Sequence, residues 1–221
     1  MGWTEWYGAR RSRAGGKRTA RMGGMLLGLV AASVLLGVLA GPAAARNLSI
    51  SNQQLRAQFR EVNFRLSSVT ARCQVTLEAS YHSRTIAKVQ GSLVGYITTA
   101  RLGPCSAGSA TILTETLPWH IRYLAFSGIL PNITALIANS VGGSFRIREP
   151  FGINCLARST ETEPMVLTAE REFAGALTGA RLGGSIATGA ECFREVGTMT
   201  SDTGTITVLG STTTRITVRL I

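Results

Sequence analysis

The chain has 221 residues, of which 45% are of hydrophobic type, 16% charged and 6% aromatic. That is enough apolar side chain for one or two folded domains and excludes wholesale disorder, and 25 glycines fall far short of the one-third that a collagen helix needs. The formal net charge of +11 divides into +6 within residues 1–46 and +5 over the rest, where no block of like charges occurs, so it describes a solvated basic face and not a nucleic-acid groove.

The first element is a leader. A basic stretch from Arg10 to Arg21 precedes an uncharged run from Met22 to Ala45, whose apolar heart is Met25 to Ala40. Gly41-Pro42 breaks any helix, and Ala43-Ala44-Ala45 supplies small side chains at the positions a signal peptidase reads. Residues 1–45 are therefore predicted to be a signal peptide cleaved after Ala45. Residues 46–221 are predicted to be a single β-domain, secreted or held at the cell surface. The competing reading is an uncleaved anchor, because the run has 24 uncharged residues and roughly 20 span a bilayer. Only under that reading is a membrane a partner.

Period-two alternation begins after residue 50. Leu55, Ala57 and Phe59 alternate with polar residues, the phase slips at Arg60-Glu61, and Val62, Phe64 and Leu66 resume it, which predicts one strand with a bulge. Cys73–Ala79, Thr85–Val89, Leu93–Leu102 and Thr111–Leu117 read as further strands. Trp119, Ile121, Tyr123 and Ala125 alternate with His120, Arg122 and Leu124, predicting a half-buried strand with its aromatics inward. Leu130-Pro131-Asn132 reads as a turn. Ile133–Ser140 and Ser144–Arg148 flank Gly142-Gly143, a hairpin turn or a bulge. Met165–Ala169 is a short strand; in Phe173–Leu182 the alanines permit a helix that Gly175 and Gly179 oppose. Thr205–Leu209 and Thr214–Leu220, joined by Gly210–Thr213, read as a terminal hairpin. About ten short strands with Gly and Pro punctuation predict an all-β fold, an antiparallel β-sandwich or barrel.

All four cysteines, Cys73, Cys105, Cys155 and Cys192, lie beyond the leader, and an even number in an exported chain suggests two disulfides. Zinc usually takes closely paired ligands, whereas the gaps here are 32, 50 and 37 residues. Of the three possible pairings, an internal echo favours Cys73–Cys105 with Cys155–Cys192. Ala100-Arg101-Leu102-Gly103 precedes Cys105, and Ala180-Arg181-Leu182-Gly183 precedes Cys192, suggesting two weakly similar halves.

The common catalytic constellations are missing. Beyond the leader there are two histidines, His82 and His120, and one aspartate, Asp202, with no nucleophile elbow, zincin, P-loop or EF-hand pattern. No catalytic residue, metal ligand or cofactor is assigned on these grounds. Glu161, Glu163, Glu170 and Glu172 cluster around Pro164 as a solvated loop. The binding candidates are His120 and Arg122, on the side of their strand opposite the aromatics, and His82 in Tyr81-His82-Ser83-Arg84; a metal or acid–base pair would require the two imidazoles to meet.

From Cys73 to Ile221 the chain resembles exported, functionally uncharacterised proteins of high-GC Gram-positive bacteria. The residues that carry this are Cys73-Gln-Val-Thr-Leu-Glu78, Gly95-Tyr-Ile-Thr98, Thr116-Leu-Pro-Trp-His120, Phe126-Ser-Gly128 with Leu130-Pro131, and the C-terminal segment. The resemblance implies a secreted, disulfide-bonded β-protein and transfers no active site. The expectation is a secreted or envelope-associated protein that binds or builds without catalysis, with a cell-wall polymer or another surface protein as partner and no nucleic acid. The alternative is an extracellular hydrolase of glycan or peptide polymers working through glutamates.

Overall fold

A computed structural model describes residues 47–66, 69–129, 132–148, 154–173, 176–192 and 196–221. The predicted leader and the Leu130-Pro131 part of the predicted turn lie outside them. The strands, in chain order, are β1 (Asn47–Ile50), β2 (Gln54–Leu66), β3 (Val69–Tyr81), β4 (Thr85–Ala87), β5 (Leu93–Ala107), β6 (Ser109–Ile112), β7 (Trp119–Ile129), β8 (Asn132–Val141), β9 (Ser144–Arg148), β10 (Asn154–Arg158), β11 (Met165–Phe173), β12 (Ala176–Thr188), β13 (Val196–Ser201), β14 (Gly204–Val208) and β15 (Val218–Leu220). The described parts of the Phe173–Leu182 segment are thus strand and not helix.

The all-β expectation holds, and hydrogen bonding makes it a barrel. Antiparallel pairing runs β11–β8–β7–β5–β3–β2–β13–β12, and β12 then pairs back onto β11 over Met165↔Gly184 to Phe173↔Ala176. The ring is closed, which removes the free edges at which an open sheet would aggregate. Several strands are pieces of one stave. Thr198↔Arg65 through Ser201↔Val62 and Thr205↔Gln58 through Val208↔Leu55 keep β13 and β14 in a single line along β2. The irregularity between Phe59 and Val62 in β2 faces the Asp202-Thr203 break between them. That irregularity is the bulge expected at Arg60-Glu61.

Gly142-Gly143 likewise kinks a stave and does not turn a hairpin. β8 pairs with β11 and β7, β9 with β10 and β6, and none of their register joins β8 to β9. Gly142 adopts φ +98°, and a Cβ at Gly143 would lie 2.6 Å from Met165 Cε and 3.1 Å from Ser159 Oγ, so glycine is what lets this bend pack.

Three expectations are corrected. The strand proposed over Thr111–Leu117 stops at Ile112, and Thr114–Thr116 forms a 3-10 turn. The Thr116 hydroxyl donates to Leu113 O at 2.7 Å, giving this segment a local bond in place of a ladder. In β7 the alternation breaks at a register shift between Tyr123 and Ala125, so Phe126, not Ala125, pairs with inward-facing Leu136. The terminal hairpin does not form. β2 lines one edge of β14 and β12 meets the other at Gly204 and Thr205, and beyond a single bridge, Val208↔Ser211, the returning segment leaves β14. It crosses instead to β1, which pairs with β15 on one side and β4 on the other.

This three-stranded sheet sits where β2 begins, β3 ends, β5 begins and β14 ends. Its Leu48, Ile50 and Ile86 are buried and join the barrel's core cluster. At the other end of the staves, Phe64, Trp119 and Phe145 stack, with ring centroids 5.2 Å apart for Phe64–Phe145 and 5.5 Å for Trp119–Phe145. The cysteines form two bridges, Cys73–Cys105 and Cys155–Cys192. Among the described residues no helix is long and apolar enough to cross a membrane.

Tyr81 closes the inner face of β3, and burial raises its phenol to about 12 from an ordinary 10. A raised folded value favours the neutral ring. Its stabilisation is complete below pH 10 and is lost as pH climbs from 10 to 12, by about 2–3 kcal/mol in all. Urea midpoints measured at pH 9 and pH 11.5 should show that loss in the wild type and a smaller one in Tyr81→Phe.

Candidate functional site

The outer surface of β3, β5, β7 and β8 brings together the three residues singled out in the sequence. Local backbone geometry comes first. β5 approaches β3 so closely at Gly95 that a Cβ there would lie 2.5 Å from Ser80 O and 2.9 Å from Tyr81 Cα. A register irregularity between Leu93 and Gly95 accompanies the approach, and the next side chain, Tyr96, stands on the outer face. Tyr96 pairs with Ser80 on β3 and with His120 on β7.

His82, just past the end of β3, lies with its ring centroid 4.8 Å from that of Tyr96, and His120 lies 5.4 Å from Tyr96 on the other flank. Both contacts are tilted, at 48° and 54°, within the range in which aromatic rings attract. The imidazoles do not meet, because strand order β3–β5–β7 places Tyr96 between them. Each imidazole's ring contact is thus with Tyr96, and among the described residues no group of three His, Cys, Asp or Glu could hold a metal ion.

Arg122 continues this face two residues along β7. It pairs in register with Leu93 of β5 and Asn139 of β8. Its Nη1–H donates to Gly91 O at 3.3 Å and its Nη2 meets Glu161 Oε1 at 2.6 Å. Three polar atoms around it, Arg122 Nε, Asn139 Oδ1 and Ser92 Oγ, are buried without a hydrogen-bond partner. Leaving such atoms unpaired costs stability, so a cluster of donors and acceptors on one face is unusual in a purely structural surface. Sequence reading missed Tyr96, Ser92 and Asn139, because nothing in their local pattern sets them apart.

The glutamates are drawn elsewhere. Arg56 holds Glu78 at 2.8 Å, and that hydrogen bond is the main reason the Glu78 carboxyl lies below its ordinary range. Backbone N–H groups of Glu191 itself and Leu156 hold the Glu191 carboxyl low. Arg181 meets Glu170 at 3.0 Å and Arg122 meets Glu161. The four glutamates around Pro164 are thus not one cluster: Glu161 and Glu170 face different arginines, and the side chain of Glu172 lies outside the description. Both displaced carboxyls favour the ionised form, the direction opposite to that of a general acid in glycoside cleavage.

What this face offers chemically is a row of three ring faces bordered by imidazole nitrogens, a guanidinium and an amide. No protein-family model, curated protein or solved structure matches the chain.

Proposed function

We propose that the protein is exported, matures in an oxidising compartment and acts by binding a saccharide polymer of the cell envelope through the outer face centred on Tyr96. The observation that carries the reading is the set Tyr96, His82 and His120 in ring contact beside unpaired polar atoms of Ser92, Arg122 and Asn139. A sugar ring presents a C–H face that stacks on aromatic rings and hydroxyls that both donate and accept. The flanking set supplies the complementary donors and acceptors. Two disulfides and the absence of free thiols among the four cysteines fit maturation outside a reducing cytosol. The basic n-region, apolar run and Ala43-Ala44-Ala45 support delivery by a cleaved signal peptide.

The test is co-sedimentation of the exported protein with purified cell-wall fractions, with N-terminal sequencing of the same material to read the cleavage site. Wild type should be retained, and Tyr96→Ala and Asn139→Ala should each weaken retention by about tenfold, the size of one good contact of about 1.4 kcal/mol. Undiminished retention of Tyr96→Ala, or no retention of wild type by any envelope fraction, contradicts the reading.

A further inference from the structure

The outer face continues past Tyr96 on the side away from His120. Gln54 on β2 stands outward because Leu55 beside it is turned inward. Register then carries one line across four strands, with Gln54 opposite Ser80, Ser80 opposite Tyr96 and Tyr96 opposite His120. Where this line reaches β2, the start of β2, the end of β3 and the end of β14 border an open depression of about 300 Å³. That is the small end of the range for ligand-sized pockets. Its walls are the polar side chains of Asn52, Gln53, Gln54, Ser80 and Arg84 and two aliphatic residues, with no acid among them. Donors around one cation and no carboxylate suit a polar ligand that carries negative charge.

One short segment serves both the rings and the depression. His82 meets Tyr96, and Arg84, two residues on, lines the depression. The backbone here is tied at three points: His82 N–H donates to Val94 O at 3.0 Å, Thr85 N–H to Ser83 Oγ at 3.0 Å, and Ile50 N–H to Arg84 O at 2.8 Å. The Arg84 side chain therefore leaves from a fixed point. Gln53 Nε2–H donates to Tyr81 O at 3.1 Å and Asn52 Nδ2–H to Ser51 Oγ at 3.0 Å. Among the described residues Arg84 has no ion-pair partner, whereas Arg56, Arg122 and Arg181 each hold a glutamate. Adjacent strands lie about 4.8 Å apart, so Gln54, two strands from Tyr96, is about 10 Å away, farther than one sugar ring reaches.

We propose that the depression is a second subsite of this face, which takes a carboxylate or phosphate carried by a sugar unit next to the one on Tyr96. The ligand is then an acidic saccharide lying across the strands. Arg84 supplies the planar fork that pairs with an oxyanion, and Gln54 and Ser80 meet the hydroxyls of the same unit. The inference rests on the reading of the face as a saccharide site and adds the charge and direction of its ligand.

The test is co-sedimentation of the exported protein with one cell-wall preparation in three forms: untreated, with its carboxylates converted to amides by a carbodiimide and an amine, and with its phosphodiesters removed by hydrofluoric acid. Wild-type retention should fall about tenfold or more on at least one treatment, and that treatment identifies the oxyanion. Arg84→Gln should lose as much on the untreated wall and should be insensitive to the treatment that affects wild type. Gln54→Ala should weaken retention by a smaller factor. Arg146→Gln, on β9 and outside the row, removes the same charge and should bind as wild type does. Equal losses in Arg146→Gln and Arg84→Gln would show binding through overall charge and overturn the subsite. Wild-type retention that neither treatment lowers, or full retention of Arg84→Gln, overturns it too. If Tyr96→Ala still loses retention in those cases, the ring platform stands and only the second subsite falls; no retention of wild type removes both.

Discussion

Reduction of both disulfides is expected to remove roughly half or more of the protein's stability at neutral pH and room temperature. The bridges close separate loops with sequence separations of 32 and 37 residues. On the loop-entropy account each constrains the unfolded chain by about 3–4 kcal/mol, and because the loops do not overlap the effects nearly add. A sum near 7 kcal/mol compares with the roughly 5–15 kcal/mol by which whole domains are stable. Position adds to the entropy. β7 pairs with β5 only over Leu93 to Ile97, so the far half of β5 has lost that ring neighbour where Cys105 holds it to Cys73 of β3. β10 joins β12 through only two register pairs, Ala157↔Thr188 and Arg158↔Ala187, and Cys155–Cys192 reinforces that sparse seam. The second bridge therefore stands where the ladder is thin, and the first lies within the long β3–β5 ladder. Urea midpoints should fall by comparable amounts in the Cys73→Ser/Cys105→Ser and Cys155→Ser/Cys192→Ser variants. Hydrogen exchange in the second should rise first in β9 and β10. A reductant-treated protein with an unshifted midpoint would contradict the argument.

Much of the wall was legible before the structure, and the reason is the period of two. Leu55, Ala57 and Phe59, then Val62, Phe64 and Leu66, show the inner face of β2 directly, because burial on one side of a pleated strand imposes that spacing. The slip at Arg60-Glu61 was readable as a bulge for the same reason. Alternation is a property of one strand, though, and says nothing about which strand lies next to it. The C-terminal segment has the right residues for a hairpin, yet β14 is already paired with β2, from the far end of the domain's sequence, and with β12. The candidate face shows the same limit. His120 and Arg122 were visible as outward residues of an alternating strand. Tyr96 gains its role only from register that sets it beside His120, and Asn139 only from being opposite Arg122.

Replacing Trp119 by alanine is expected to cost about 3–5 kcal/mol, as much as losing one disulfide. The indole is fully buried and packs edge-on to Phe145, which in turn contacts Phe64, so removal opens a cavity among rings that rigid strands prevent from collapsing. Polar bonding deepens the loss. The indole Nε1–H donates to Thr116 Oγ1 at 2.9 Å, and Thr116 donates onward to Leu113 O. That relay couples the core to the 3-10 turn which interrupts the stave between β6 and β7. Thr116→Val should therefore cost about 1–3 kcal/mol by leaving a buried indole N–H without an acceptor. Trp119→Phe keeps a ring and removes that donor, so adding Thr116→Val to it should cost less than adding it to wild type. The difference, about 1 kcal/mol, is the coupling energy of the bond and is measurable as a double-mutant cycle of urea midpoints. Because Trp3 and Trp6 precede the predicted cleavage site, fluorescence of the processed protein reports Trp119 alone. Its emission should lie to the blue in the native wild type and shift red on unfolding. If the two substitutions add without coupling, the turn is held by its backbone, and the core and the edge of the candidate face fold independently of one another.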